Sequence, residues 1–145
     1  MELKETNSGI LGVIADIIKV EKKYETAIET ALGGTIQNIV TDNEKTAKEL
    51  IAYLKENKLG RATFLPITSV SGKNTYESEP CMQEKGVIGL ASSLVRVDFE
   101  YTKLAKYLLG RILVVDNIDN ALAIAKKYKY SLRIVTLEGE QLNPG

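Results

Sequence analysis

A large part of this chain is written twice. The segment from Gly9 to Gly33, GILGVIADIIKVEKKYETAIETALG, lines up without a gap on the segment from Gly86 to Gly110, GVIGLASSLVRVDFEYTKLAKYLLG. Gly9, Gly12, Val20, Tyr24, Leu32 and Gly33 recur as Gly86, Gly89, Val97, Tyr101, Leu109 and Gly110, and Lys19-Val20-Glu21 becomes Arg96-Val97-Asp98. With small deletions, Val40-Thr41-Asp42-Asn43 returns as Val114-Val115-Asp116-Asn117, Ala47 as Ala121, and Arg61 to Leu65 as Arg133 to Leu137. Two copies are too few for a solenoid. A copy of about fifty residues is near the lower size for a self-supporting core, so the halves are expected to share or abut their cores. The repeat therefore predicts one domain over 1–145, with subdomain I at about 9–66, a connector at about 67–85 and subdomain II at about 86–145.

Each copy follows one grammar. A GxxG opening leads to an apolar stretch, then to a helix whose Tyr24, Ala27, Ile28, Ala31 and Leu32 keep i, i+3, i+4 spacing. Gly33 and Gly34 stop it. A strand is expected over 35–40, with Thr41 and Glu44 at capping-box spacing before a helix carrying Ala47, Leu50, Ile51 and Leu54 on one face. Lys58-Leu59-Gly60 closes that helix, and a strand runs over 61–65 to Pro66. The second copy predicts a helix over 101–109, a strand over 112–115, a helix over 119–128 and a strand over 132–137. The turn-forming stretch 68–85 reads as a long surface connector with room for a short strand. The fold class is mixed α/β (α+β), two pseudo-symmetric subdomains with small sheets flanked by helices. Short sheets leave strand edges that invite another chain.

Composition closes off most chemistry. There is no histidine, which removes the commonest general base and the commonest zinc ligand. Cys81 stands alone and reads as a reduced, inert thiol. The run before Gly72-Lys73 has Ile67 where a P-loop needs its first glycine, and Asn74 stands where it needs Ser or Thr. Nineteen basic and nineteen acidic side chains cancel, so nucleic-acid binding would need a local patch. The most apolar stretch, 10–18, is interrupted by Gly12 and Asp16 and is too short to span a bilayer, and the opening Met1-Glu2-Leu3-Lys4-Glu5 is unlike a secretory signal. A cytoplasmic location without membrane contact is the expectation.

The run GVIADIIKVEKKYETAIETALGGTIQNIVTDNEKTAKELIAYLKENKLGRATFLPI resembles the first half of a prokaryotic-type hinge domain of the structural maintenance of chromosomes (SMC) family. GVIGLASSLVRVDFEYTKLAKYLLGRILVVDNIDNALAIAKKYKYSLRIVTLEGEQLNPG resembles the second half. The resemblance implies a doughnut-like homodimer of two-subdomain protomers, each at the far end of an antiparallel coiled coil. It also implies ATPase heads built elsewhere in a longer protein, work in chromosome condensation, segregation and repair, and kleisin-type subunits that contact those heads. The domain itself would be non-catalytic, without a cofactor, and would bind DNA weakly near the emerging coiled coils while associated with the chromosome. Family hinges continue past a segment like 137–145 into a glycine-rich stretch that helps form the dimer contact, so a sequence ending at Gly145 is expected to dimerise less strongly.

Candidate residues follow from edges, charges and the family. The strands at 61–65 and 132–137 are expected to join sheets between protomers, which nominates Arg61, Thr63, Arg133, Ile134, Val135, Thr136 and Leu137, with Gly139 and Gly145 allowing close backbone approach at that contact. Lys4, Lys19, Lys22 and Lys23, close to the entering arm, are the DNA candidates, while Lys126-Lys127-Tyr128-Lys129 reads as a favourable helix C-terminus. Asp42 and Asp116 read as helix caps, with a phosphoreceiver or hydrolase carboxylate as the rival. Tyr24 and Tyr101 read as core residues with hydroxyls at the rim. The GxxG pairs share the spacing of the KH-domain clamp but lack its basic neighbours, and read as tight turns or close packing. The competing function is a regulatory ligand-binding α/β module using the crevice between the halves.

Overall fold

The computed structural model describes residues 9–70 and 79–144. The first copy forms strand β1 (Ile10–Val13), a one-turn helix α1 (Ile14–Ile17), strand β2 (Lys19–Val20), helix α2 (Glu25–Leu32), strand β3 (Ile39–Thr41), helix α3 (Glu44–Glu56) and strand β4 (Phe64–Pro66). The second forms β5 (Val87–Leu90), β6 (Val95–Arg96), α4 (Thr102–Leu109), β7 (Ile112–Val115), α5 (Ile118–Lys127), β8 (Arg133–Thr136) and β9 (Gln141–Leu142). Both expected strands of the first copy start later than the residue preferences suggest. Gly33 takes a positive φ of 55° and residues 33–37 wind into a 3₁₀ turn, leaving only Ile39–Thr41 extended in the sheet. Gly60, at φ 93°, turns the chain so that pairing begins where the Thr63 carbonyl accepts from the Ile39 amide at 2.9 Å.

Two compact units result: among the described residues, one takes 9–17 and 34–70, the other 18–33 and 79–144. In the first, β3 lies between antiparallel β1 and parallel β4. Helix α3 packs on β3 and β4, bringing Leu50 onto Ile10 and Ile39, with Val13 and Phe64 against them. The second unit holds the sheet order β5-β7-β8-β9, with β5–β7 antiparallel, β7–β8 parallel and β8–β9 antiparallel, plus the small antiparallel pair β2–β6. Every residue of β7 is buried, as expected for an interior strand covered on both faces.

The division in space departs from the division in sequence. Residues 18–33 belong to the first copy but sit in the unit of the second. Ala121, Ile124 and Ala125 of α5 cluster with Leu113, Val115 and Ile134, which covers one face of the four-stranded sheet. Alternation along a strand turns Val135 the other way. Helix α2, which buries Ala27, Ile28, Ala31 and Leu32, packs on β8 and on α4 and supplies the second cover.

The connector is tied to the core at its far end. Its described parts hold the 3₁₀ turns Ile67–Ser69 and Pro80–Gln83, while 71–78, where a short strand had room, lie outside the described residues. Cys81 is buried at 2% exposure among Leu90, Leu113 and Ile124, so this end is pinned to the core by that side chain while Glu79, Pro80, Gln83 and Lys85 stay exposed at the surface.

The same corner is built in both copies. The Asp42 amide donates to the Gly9 carbonyl at 2.8 Å and the Asp116 amide to the Gly86 carbonyl at 2.9 Å. The second glycine of each GxxG sits at a β-bulge, between Ile10 and Gly12 and between Val87 and Gly89. The caps fall one residue later than the aspartates. Asn43 accepts from the Thr46 amide at 3.0 Å, and Asn117 from the Asn120 amide at 2.9 Å. The expected Thr41–Glu44 box is replaced by this arrangement, because the Thr41 hydroxyl donates to the Asn43 carbonyl. Asp42 accepts from the Thr46 hydroxyl and Asp116 from the Asn120 amide group, so each carboxylate clamps the first turn of its helix.

A Cβ on Gly86 would lie 2.5 Å from Asp116 Oδ1 and 2.6 Å from Asn120 Nδ2, at a φ of 90°. Gly86→Ala is expected to cost about 2–4 kcal/mol, from strain and overpacking together. Gly34→Ala, with nothing within 4 Å, should stay close to neutral. Urea denaturation of the two variants checks the contrast.

Candidate self-association surface

Strand β8 is not an edge. It is hydrogen-bonded to β7 on one side and β9 on the other, and Ile134, Val135 and Thr136 are buried. The expectation that 132–137 joins a second copy is corrected by this pairing. β8 reads as terminal because Gln141–Leu142, which covers its outer side, is a two-residue strand too short to show a period.

The remaining candidates around β8 are engaged within their own unit. The Arg133 guanidinium donates to the Ala31 carbonyl at 2.8 Å and to Gln141 Oε1 at 2.8 Å, placing a cation at the last turn of α2. The Thr136 hydroxyl donates to Glu140 Oε1 at 2.8 Å, and the Leu137 amide to the Val115 carbonyl at 3.2 Å. Gly139 does serve a close approach, but to α2 of its own chain. It has φ 92°, an added Cβ would meet Thr26 Cγ2 at 2.9 Å, and its carbonyl accepts from the Thr30 hydroxyl at 3.4 Å. Gly145 lies outside the described residues.

The outer strands are β1 and β4 in the sheet of the first unit and β5 and β9 in the larger sheet of the second. Arg61 and Thr63 are exposed on the approach to β4. In the parallel ladder Thr63 and Leu65 face β3, so the amide and carbonyl of Phe64 point to the open side. Pro66 ends the strand without a donor.

The cationic candidates lie on the second unit. Lys19 is exposed on β2 directly opposite exposed Arg96 of β6, and Lys22 and Lys23 are exposed in the turn that follows. Lys4 lies outside the described residues. Lys23 sits 3.6 Å from Glu21 and 5.0 Å from the Tyr24 ring centre, and these two neighbours, Tyr24 first, hold its ammonium above the usual lysine range. Arg96 escaped the sequence reading although the repeat flags it, since it is the counterpart of Lys19 and pairs with it across the ribbon. Like charges placed opposite one another are unfavourable and favour an anion that bridges them. Tyr24 and Tyr101 are half-buried at the starts of α2 and α4.

The sequence matches the family model for the SMC proteins flexible hinge domain over residues 7–125. The chain belongs to the SMC hinge family. It is 46% identical over 133 residues to the chromosome partition protein Smc of Clostridium kluyveri, covering 92% of this chain and 11% of that protein. It is 41% identical over 147 residues to the Bacillus subtilis protein of the same name, covering 100% and 12%. The hinge therefore spans about a tenth of the length of these relatives. Among solved structures, an asymmetric dimer of the Geobacillus stearothermophilus SMC hinge domain superposes with a TM-score of 0.90 at 40% identity, covering 99% of this chain and 61% of that one. The Pyrococcus furiosus SMC hinge domain gives 0.80 at 35% identity, covering 99% and 73%.

Within this hinge the groups with chemical potential serve packing. Burial, with help from Glu79 and Glu84, pushes the Cys81 thiol above its ordinary pKa. Among the described residues no group of three or more Cys, Asp or Glu could hold a metal ion. Glu84 accepts from the Tyr128 hydroxyl at 2.7 Å and from Lys127 at 2.8 Å, fastening the end of the connector to the end of α5.

Two predictions follow from these contacts. Arg133→Met removes a charge-assisted bond to a helix carbonyl and should cost about 1–2 kcal/mol in denaturant unfolding. The Tyr128 phenol is pushed up to about 12, first by its hydrogen bond to Glu84, and Glu84 is held below the usual carboxylate range, first by Lys127 and then by Tyr128. The raised phenol contributes stability that is complete below its ordinary pKa of about 10 and lost as pH climbs through about 12. The lowered carboxyl contributes stability present above its ordinary pKa and lost as pH falls through its folded value. Glu84→Gln should return one tyrosine toward ordinary titration in ultraviolet absorbance.

Proposed function

We propose that this hinge joins two copies of a longer SMC protein by adding the open edge of β4 from one copy to the open edge of β9 from the other. The observation that carries the reading is that β4 ends its sheet with the Phe64 amide and carbonyl facing outward, beside exposed Arg61 and Thr63. A strand that leaves these groups unpaired is a template for another chain. Membership in the hinge family and the dimer described for the Geobacillus domain support it. Arg61 and Thr63 keep their place in the proposed contact, while Gln141 and Leu142 take the place first assigned to β8.

On this reading the domain works without a cofactor, and chromosome condensation and segregation, ATP turnover and kleisin-type partners belong to the longer protein. Lys19 and Arg96, with Lys22, form the phosphate contact for weak DNA binding, which would place the protein on the chromosome. Affinity for a DNA duplex should fall steeply with salt.

Cys81 is buried, so introduced thiols report with little background. A mixture of Thr63→Cys chains and Gln141→Cys chains should be joined by a short bis-maleimide, while a Lys48→Cys control on the exposed side of α3 should not. Equal yields from the control and the edge pair would remove edge pairing as the contact.

A further inference from the structure

The second copy carries an aromatic knob that the first copy lacks. Phe99 is 95% exposed, far more than any other large hydrophobic residue among those described, and lies between Asp98 and Glu100. In the first copy the corresponding residues are Lys22 and Lys23, so the acidic aromatic turn occurs once per chain. The knob is held in place. The Tyr101 amide donates to the Asp98 carbonyl at 2.8 Å, and the Thr102 hydroxyl to the Phe99 carbonyl at 2.8 Å.

The first unit carries a groove of complementary character. It measures about 560 Å³ and is lined by apolar Ile51, Leu54 and Ala62 together with Lys55, Lys58 and Arg61. A cavity of about 150 Å³ already accepts benzene, so a phenyl ring has room. Ile51 is 51% exposed there. Neither Lys55, Lys58 nor Arg61 forms an ion pair with a carboxylate of the described residues, and neither do Asp98 and Glu100 with a cation. Three cations around an apolar floor match two carboxylates around an aromatic ring. A chain with no net charge offers no overall repulsion to a second copy.

We propose that Phe99 of one copy docks in the Ile51–Ala62 groove of a second copy, with Asp98 and Glu100 meeting Lys55, Lys58 and Arg61. Each chain brings one knob and one groove, so the contact joins unlike surfaces of the two copies. The groove adjoins the β4 edge and shares Arg61 with it, so with that edge paired the docking rests on Lys55 and Lys58. It would connect hinge dimers to one another, which gives an SMC protein a route to assemblies larger than the pair.

Sedimentation of the chain at rising concentration tests this. The average mass should climb above that of Phe99→Ser at the same concentration. Phe99→Ser and Ile51→Lys, both at exposed positions, should each weaken this step about tenfold or more while leaving the melting temperature unchanged. A mixture of the two variants should associate again, because one supplies the groove and the other the knob. The mass of the wild-type chain equalling that of Phe99→Ser at every concentration, or a mixture no heavier than its components, would overturn the proposal and leave knob and groove to a different protein. Edge cross-linking between Thr63→Cys and Gln141→Cys should be indifferent to Phe99→Ser, so the two contacts succeed or fail separately.

Discussion

The amide of the aspartate that ends the central strand donates to the carbonyl of the first GxxG glycine, Asp42 to Gly9 and Asp116 to Gly86, and much of each unit is arranged around that bond. It brings the opening strand antiparallel onto the central one and leaves no room for a Cβ. The asparagine that follows can then cap the next helix, which returns over the sheet to deliver a parallel strand. Glycine recurs here because the carboxylate and the first turn of the helix occupy the space that a side chain would need.

The two copies diverge where the sheets need cover. Among the described residues the sheet of the first unit has three strands and a helix on one face, whereas the main sheet of the second has four, with β7 and β8 buried throughout their centres. Helix α2, although written in the first copy, covers the second face of that larger sheet, and Arg133 and Gly139 fasten it there. The cost for self-association is that β8 becomes an interior strand. Among the outer strands that remain, β4 and β9 are the pair assigned to another chain in the proposed contact.

Charge is distributed with the same economy of place. Lys127, at the end of α5, is matched by Glu84, while Lys19 faces Arg96 across a two-stranded ribbon and Lys58 borders an apolar groove. The matched charges hold the fold, and the unmatched ones face outward and carry the proposed contacts with DNA and with a second copy.

Unlike the one-turn helix α1, the four longer helices, the glycine stops and the absence of histidine chemistry were legible in the amino-acid order, because each depends on neighbours three or four residues away or on composition alone. So was membership of the SMC hinge family, since its glycines and its LGR and VVDN runs stand in one line. Tertiary structure alone decided that β8 is interior, that residues 18–33 serve the second unit, and that Asn43 and Asn117 do the capping. The physical reason is that a strand's edge, a helix's partner and the acceptor chosen by an amide depend on what else comes within about 3 Å or 5 Å in space, which spacing along the chain does not record.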